Sequence, residues 1–194
     1  MATPNHTPAP PPAASHRAES EPDPFEFSAD AFEVKVAEML VATSDGSDAL
    51  IDSSISDVLR LLRTQLKMDV VFVSEFADGK RHFRHVDQAA GKEVIARGEC
   101  DPLEESWCMR VVDGRIPDFI ADARVLQKSG VLSETPFPIG THMSTPIYLK
   151  SGEVYGTLCC FSFAPSDELK ARDMRTLRYT AKLAADRLEE GRAA

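Results

Sequence analysis

The sequence predicts an α+β domain: an antiparallel β-sheet of about six strands, with helices packed on one face and a long C-terminal helix. Three observations predict it. Two stretches in the first third carry apolar residues at helical spacing, two pairs of β-rich stretches are each joined by a short turn signal, and the chain ends on a further helical pattern. With 194 residues, 43% of them hydrophobic, the chain suffices for one globular domain with room for a tail.

Residues 1–24 hold Pro4, Pro8, Pro10, Pro11, Pro12, Pro22 and Pro24, and no aliphatic residue larger than alanine follows Met1. Such a segment cannot bury enough surface to offset its ordering entropy, so residues 1–28 read as a disordered tail ahead of a domain over 29–192. From Asp30, Phe32, Val36, Met39 and Leu40 fall on one helical face, with Ser28 as a candidate cap. A break at Ser44-Asp45-Gly46-Ser47 precedes a second helix carrying Ile55, Val58, Leu59, Leu62 and Leu66, capped by Ser53 or Ser54. Asp69 to Phe76 is β-rich, Ala77-Asp78-Gly79-Lys80 is a hairpin turn, and Arg81 to Asp87 returns. A helix over Leu103 to Val112 stops at Asp113-Gly114, and Pro117 to Ala121 reads as a short strand. Val125 to Pro138 reads as a long loop with one helical turn. Thr141 to Lys150 and Glu153 to Phe163 form a second hairpin around Ser151-Gly152. The last helix opens at Ser166, with Asp167 and Glu168 in its first turn, and runs to about Glu190.

Net charge is −9 and the pI is about 5.0, so the chain repels phosphate backbones and anionic headgroups. Neither nucleic acid nor membrane is an expected partner. No apolar run approaches the ~20 residues that span a bilayer, and the N-terminus lacks a signal-peptide pattern. A cytoplasmic protein is expected. Cys100, Cys108, Cys159 and Cys160 make no disulfide framework and read as reduced thiols. No His, Cys and Asp spacing suits zinc, so no metal is expected.

In the second half, Met143-Ser144-Thr145-Pro146-Ile147 is followed by Gly152-Glu153-Val154-Tyr155-Gly156-Thr157-Leu158-Cys159-Cys160-Phe161. This pairing resembles the GAF domain family of small-molecule sensors, whose second half often carries a Pro-containing strand followed by Tyr-Gly-Thr-Leu-Cys. The resemblance spans roughly residues 33–190 and implies a GAF/PAS-like sheet. It also implies a ligand pocket over that sheet, walled by segments 103–112, 118–140, 141–147 and 155–161. The ligand-binding residues it implies are Trp107, Cys108, Val111, Asp118, Asp122, Phe137, His142, Ser144, Thr157, Cys159 and Phe161. Strand alternation does not decide which sheet face meets the pocket, because both faces are partly apolar.

Each candidate has a structural reading beside the functional one. Trp107 can stack on a ring or fill core. Cys108 can be a redox thiol, a chromophore attachment point or a small buried hydrophobe, and no Lys or His adjoins it in sequence. Bilin-binding members carry His after the linking Cys, whereas Met109 stands here. His142 can ligate haem or form a core hydrogen bond. The cofactor therefore stays unknown, with haem and bilin not favoured. His82 and His85 fall on an expected edge hairpin and read as exposed. Asp118 and Asp122 can orient a polar ligand or cap loops, with Arg110 as their salt-bridge partner. The cyclic-nucleotide signature is missing, the chain's single asparagine being Asn5.

Met174, Leu177, Ala181, Ala184 and Leu188 form a narrow seam on the last helix, which suits either a dimer or packing within the chain. The resemblance implies a sensory module that binds a small, ring-containing molecule and signals through its terminal helices to a dimer mate or a separate output protein. The alternative is a thiol enzyme like the free methionine-R-sulfoxide reductases, with Cys108 and Cys100 as catalytic residues. A pure interaction module is a third class.

Overall fold

The computed structural model describes residues 28–41, 48–169 and 171–193. The expected tail (Ser28 apart) and the Ser44–Ser47 break lie outside them. Helix α1 runs over Ala29–Val41. Ser28 caps it: its hydroxyl accepts from the Ala31 N–H at 3.3 Å and its carbonyl from the Phe32 N–H at 2.9 Å. Helix α2, Asp48–Gln65, starts before the expected caps, leaving Ser53 and Ser54 inside it. Serine is only a mild helix breaker and does not by itself end one.

Strands β1, Val70–Ala77, and β2, Lys80–Gln88, meet at Asp78 and Gly79, with φ of 53° and 71°. Two successive left-handed residues make the hairpin turn whose twist matches that of its strands. Strand β3, Cys100–Pro102, escapes sequence reading because three residues ending in proline show no alternation. A single tight turn over Leu103–Glu105 precedes helix α3, Trp107–Val112. The expected helix from Leu103 is thus broken at Ser106. There the side chain accepts from the Met109 N–H at 3.1 Å and donates to the Leu103 carbonyl at 2.7 Å. Strand β4, Phe119–Ile120, and helix α4, Ala123–Lys128, follow, the latter capped by the Asp122 carboxylate. Strands β5, Thr141–Tyr148, and β6, Val154–Ser162, form the second hairpin.

Helix α5, Ala171–Ala193, begins later than Ser166. The Ser166 N–H donates to Thr141 Oγ1 at 2.7 Å, and its hydroxyl accepts from the Glu168 N–H at 3.3 Å. That serine closes a local turn pinned to β5 instead of starting the helix. Among the described residues no helix is long and apolar enough to cross a membrane.

The sheet order is β3-β2-β1-β6-β5-β4, antiparallel throughout. Strand β2 is therefore not an edge, and His85 is buried at 5% exposure, against the expectation of a solvent-facing histidine. The three long helices cover one face: Phe32, Val36, Leu59, Leu62, Leu177 and Ala181 pack there with Val71, Val73, Met143, Leu158 and Cys160. The seam on α5 joins this layer. Met174, Leu177, Ala181, Ala184 and Leu188 are all buried within the chain, which removes them as a dimer surface. The Arg187 guanidinium donates to the Leu40 carbonyl and ties α5 to the end of α1. The opposite face carries a second core, with Val70, Phe72, Cys159 and Phe161 from the sheet and Trp107, Cys108 and Val111 from α3. Alternate residues of β1 and β6 thus serve different cores.

Candidate functional site

On this second face the residues do not fill the space between sheet, α3 and the chain over 133–139. A half-enclosed cavity of about 660 Å³ remains, within the range of small-molecule sites. Phe72, Phe83, Trp107, Phe137 and Phe161 supply its aromatic walls. The Phe137 ring stacks on Phe161 with centroids 5.3 Å apart and planes 7° from parallel. Trp107 is 5% exposed, and its indole N–H donates to Ser133 Oγ at 3.2 Å, fastening α3 to the covering segment. Thr135 Oγ1 donates to the Phe137 carbonyl at 2.6 Å and shapes that segment from within. The lining carboxylates Glu99, Glu105 and Glu134 are exposed at the mouth.

The floor is polar. Arg81 on β2 lies over Phe83 at 4.7 Å and Phe72 at 5.7 Å. Its guanidinium forks onto Asp101, with Nε donating to Oδ1 at 2.9 Å. Its Nη1 donates to Cys108 Sγ at 3.1 Å. Burial alone would lower the Arg81 pKa, but the charges of Cys108 and Asp101 outweigh it, so the guanidinium stays charged. The Cys108 thiol is held well below the ordinary thiol range by its hydrogen bond from Cys159 and, against burial, by Arg81 and then His142. Burial and the hydrogen bond to Cys108 push the Cys159 thiol the other way. The two sulfurs of this pair are thus shifted in opposite directions.

His142 on β5 completes the floor. Its Nε2 is 3.2 Å from Cys159 Sγ, its ring meets Trp107 edge-to-face at 5.4 Å, and it is 1% exposed. Its Nδ1 is buried with no protein partner. A buried polar atom in that state costs about 1–3 kcal/mol until something satisfies it. The hydroxyl of Ser144, two residues along the same strand, is likewise unpartnered. Among the described residues no group of three or more His, Cys, Asp or Glu side chains is placed to hold a metal ion.

The structure brings Trp107, Phe137, His142, Cys159 and Phe161 to the cavity lining and sets Cys108 against that floor. Cys100 is exposed on β3 at the rim, apart from Cys108. Five expected ligand residues stand outside the lining, among them Ser144, whose buried hydroxyl lies on β5 two residues from His142. Asp118 pairs with Arg178 of α5 and lines a separate depression of about 590 Å³ between β5 and α5. Asp122 caps α4 and pairs with Arg124, so neither aspartate takes Arg110, which donates instead to the Val131 carbonyl. Thr157 Oγ1 shares a buried hydrogen bond of 2.9 Å with Ser74 Oγ, a cross-strand pair and not a ligand contact. Val111 packs in the second core outside the lining. Sequence reasoning missed Arg81, Asp101 and Ser133, and placed Arg110 with the aspartates and not at the cavity. Arg81 had a signal, since it shares a strand face with Phe83. Asp101 and Ser133 lie where no periodicity exists.

A family model described as GAF domain matches residues 48–189. No curated protein matches the chain. Solved structures agree on the fold. The GAF domain of an Acinetobacter phosphoenolpyruvate-protein phosphotransferase superposes with a TM-score of 0.67 at 12% identity, covering 84% of this chain and 93% of that one. Free methionine-R-sulfoxide reductase from Neisseria meningitidis, in complex with its substrate, gives 0.65 at 12% identity over 85% and 92%. The phycoerythrobilin-bound GAF domain of a cyanobacterial phytochrome gives 0.66 at 11% identity over 86% and 97%.

Proposed function

We propose, for a chain that belongs to the GAF domain family, a sensory and regulatory role in which a small ring-containing molecule binds in the cavity over the sheet. One observation carries this reading: an aromatic-walled space of about 660 Å³ lined by His142, whose buried Nδ1 has no protein partner. A ring with a donor or acceptor on its edge would stack against Trp107 or Phe161 and satisfy that nitrogen. Occupancy is expected to shift the balance between two conformers, with the terminal helices carrying the difference to a partner or dimer mate. The ligand must bind one conformer more tightly for any signal to pass.

Thermal unfolding against a panel of cyclic metabolites, beside native mass spectrometry of the purified protein, tests this. A concentration-dependent rise in melting temperature that His142→Ala abolishes supports the reading. No shift across the panel and no retained ligand would count against it. A second reading, a thiol-dependent reductase, is favoured by the Cys108 sulfur 3.1 Å from Arg81 Nη1, its pKa held low there. Turnover of free methionine sulfoxide with thioredoxin, lost in Cys108→Ser, would establish it in place of the first.

A further inference from the structure

The polar groups left unfilled on the cavity lining are chiefly donors. Arg81 has five N–H groups. Its Nε and Nη2 fork onto Asp101, and Nη1 reaches Cys108 Sγ at 3.1 Å. Among the described residues no acceptor is set against the second N–H of Nη1 or of Nη2. Arg110 donates from Nη1 to the Val131 carbonyl at 3.2 Å, and its Nε is buried with no partner. Both guanidiniums line the cavity, and the Arg81 side chain is 14% exposed. The lining hydroxyls are already engaged. Ser106 accepts from the Met109 N–H, Ser133 accepts from the Trp107 indole, and Thr135 donates to the Phe137 carbonyl. Of the lining acids, Asp101 is committed to Arg81, while Glu99, Glu105 and Glu134 are exposed at the mouth.

We infer that the ring-containing molecule of the binding reading carries a single carboxylate, seated inward on the Arg81 guanidinium. This deepens that reading and rests on it. A carboxylate offers acceptor lone pairs in one plane, which is what unfilled guanidinium donors require, and such charge-assisted bonds are roughly twice as strong as neutral ones. Arg81 is held ready for it. The Asp101 fork fixes one edge of the guanidinium, and the Phe83 and Phe72 rings lie 4.7 and 5.7 Å beneath its carbon. Little side-chain freedom is therefore left to lose on binding. Arg110 adds a second positive charge to the same lining. The ring of the ligand then lies against the aromatic walls near Trp107 and Phe161. The net charge of −9 and the mouth glutamates oppose any anion, but they act through solvent and are screened beyond about 8–10 Å. A second negative charge, as on a phosphate, would add to that repulsion once the Arg81 donors are filled.

Phenylacetate, phenylacetamide and phenethylamine share a ring and differ in charge, as do indole-3-acetate, indole-3-acetamide and tryptamine. Calorimetric titration of the full chain with both series, at low and at high salt, is the test. In at least one series the carboxylate should bind at least about tenfold tighter than its amide, with the amine weakest. That margin should shrink at high salt. Arg81→Gln should erase it, and Arg81→Lys should restore part of it. If neither variant folds, the wild-type series and its salt dependence still decide. An amide or amine that binds as tightly as the carboxylate would overturn the carboxylate assignment and leave the binding reading standing. A margin that survives in folded Arg81→Gln would overturn the seat on Arg81. Binding by no member of either series at millimolar concentration would sink the assignment and the binding reading together.

Discussion

Gly156→Ala is the sharpest test of the packing on which the cavity rests. A β-carbon on Gly156 would sit 1.9 Å from the Ser74 carbonyl oxygen, 2.8 Å from the Ser74 carbonyl carbon and 2.9 Å from Glu75 Cα. All three are backbone atoms of β1, which pairs with β6 through Glu75 and Gly156. No side chain can rotate away. Restoring a carbon–oxygen contact of about 3.3 Å requires the two central strands to part by roughly 1.4 Å. Interiors packed at crystal density do not absorb such a shift cheaply. Overpacking costs about 1–3 kcal/mol, and a clash with backbone belongs at the top of that span or above it. At ~3 kcal/mol the melting temperature should fall by about 6–12 °C for a chain of this size. Gly152→Ala is the control. There φ is +85° and nothing lies within 4 Å, so only left-handed strain of about 1–2 kcal/mol applies. Urea and thermal unfolding of both variants decide the matter. A Gly156→Ala loss below that of Gly152→Ala would refute the close approach of β1 and β6.

Trp107→Ala should destabilise the fold by about 3–5 kcal/mol and abolish any ligand-induced melting shift, whereas Trp107→Phe should keep most of both. Calorimetry with a ligand found by screening checks this. Arg178→Ala breaks an exposed pair with Asp118, so a loss of about 0.5 kcal/mol or less is expected in chemical denaturation, with ligand affinity unchanged. Burial, and secondarily Asp173, pushes the Cys160 thiol up, while unfolded thiols ionise near about pH 8.5. A folded pKa above the unfolded one gives stability that is full below about pH 8.5 and lost as pH rises. Denaturant melts should therefore weaken on the alkaline side, less so in Cys160→Ala. Cys108 has the opposite sign: its depressed pKa gives stability present above about pH 8.5 and lost as pH falls through the folded value. Melts of Cys108→Ser should lack that acid-side slope.

The hairpins were legible because Asp78-Gly79 and Ser151-Gly152 are turn signals between alternating runs, and a period of two survives in any tertiary setting. Helix ends were less so. Ser53, Ser54 and Ser166 look like caps, yet a serine hydroxyl also closes turns or rides inside helices, and only packing chooses. At the site, Trp107, His142, Cys159 and Phe161 were reachable through motif and alternation. The partners that set their chemistry were not. Cys159 and then Arg81 lower the Cys108 pKa from 51 and 27 residues away, and adjacency in sequence finds only Trp107 and Met109 beside that thiol. Asp118 failed in the reverse direction: its nearness to the expected pocket segment concealed that its carboxylate meets α5 on the other side of the sheet.

Strand β6 separates two compartments with a membrane one residue thick. Cys159 and Phe161 look into the cavity while their chain neighbours Leu158 and Cys160 are wedged beneath the helix layer. Pairing to β1 on one side and β5 on the other limits how far the backbone of β6 can absorb a rotation. A twist of this strand about its own axis, as small as a rotamer change at Cys159 would demand, must reappear with opposite sense on the far side, like a seesaw with its fulcrum in the backbone.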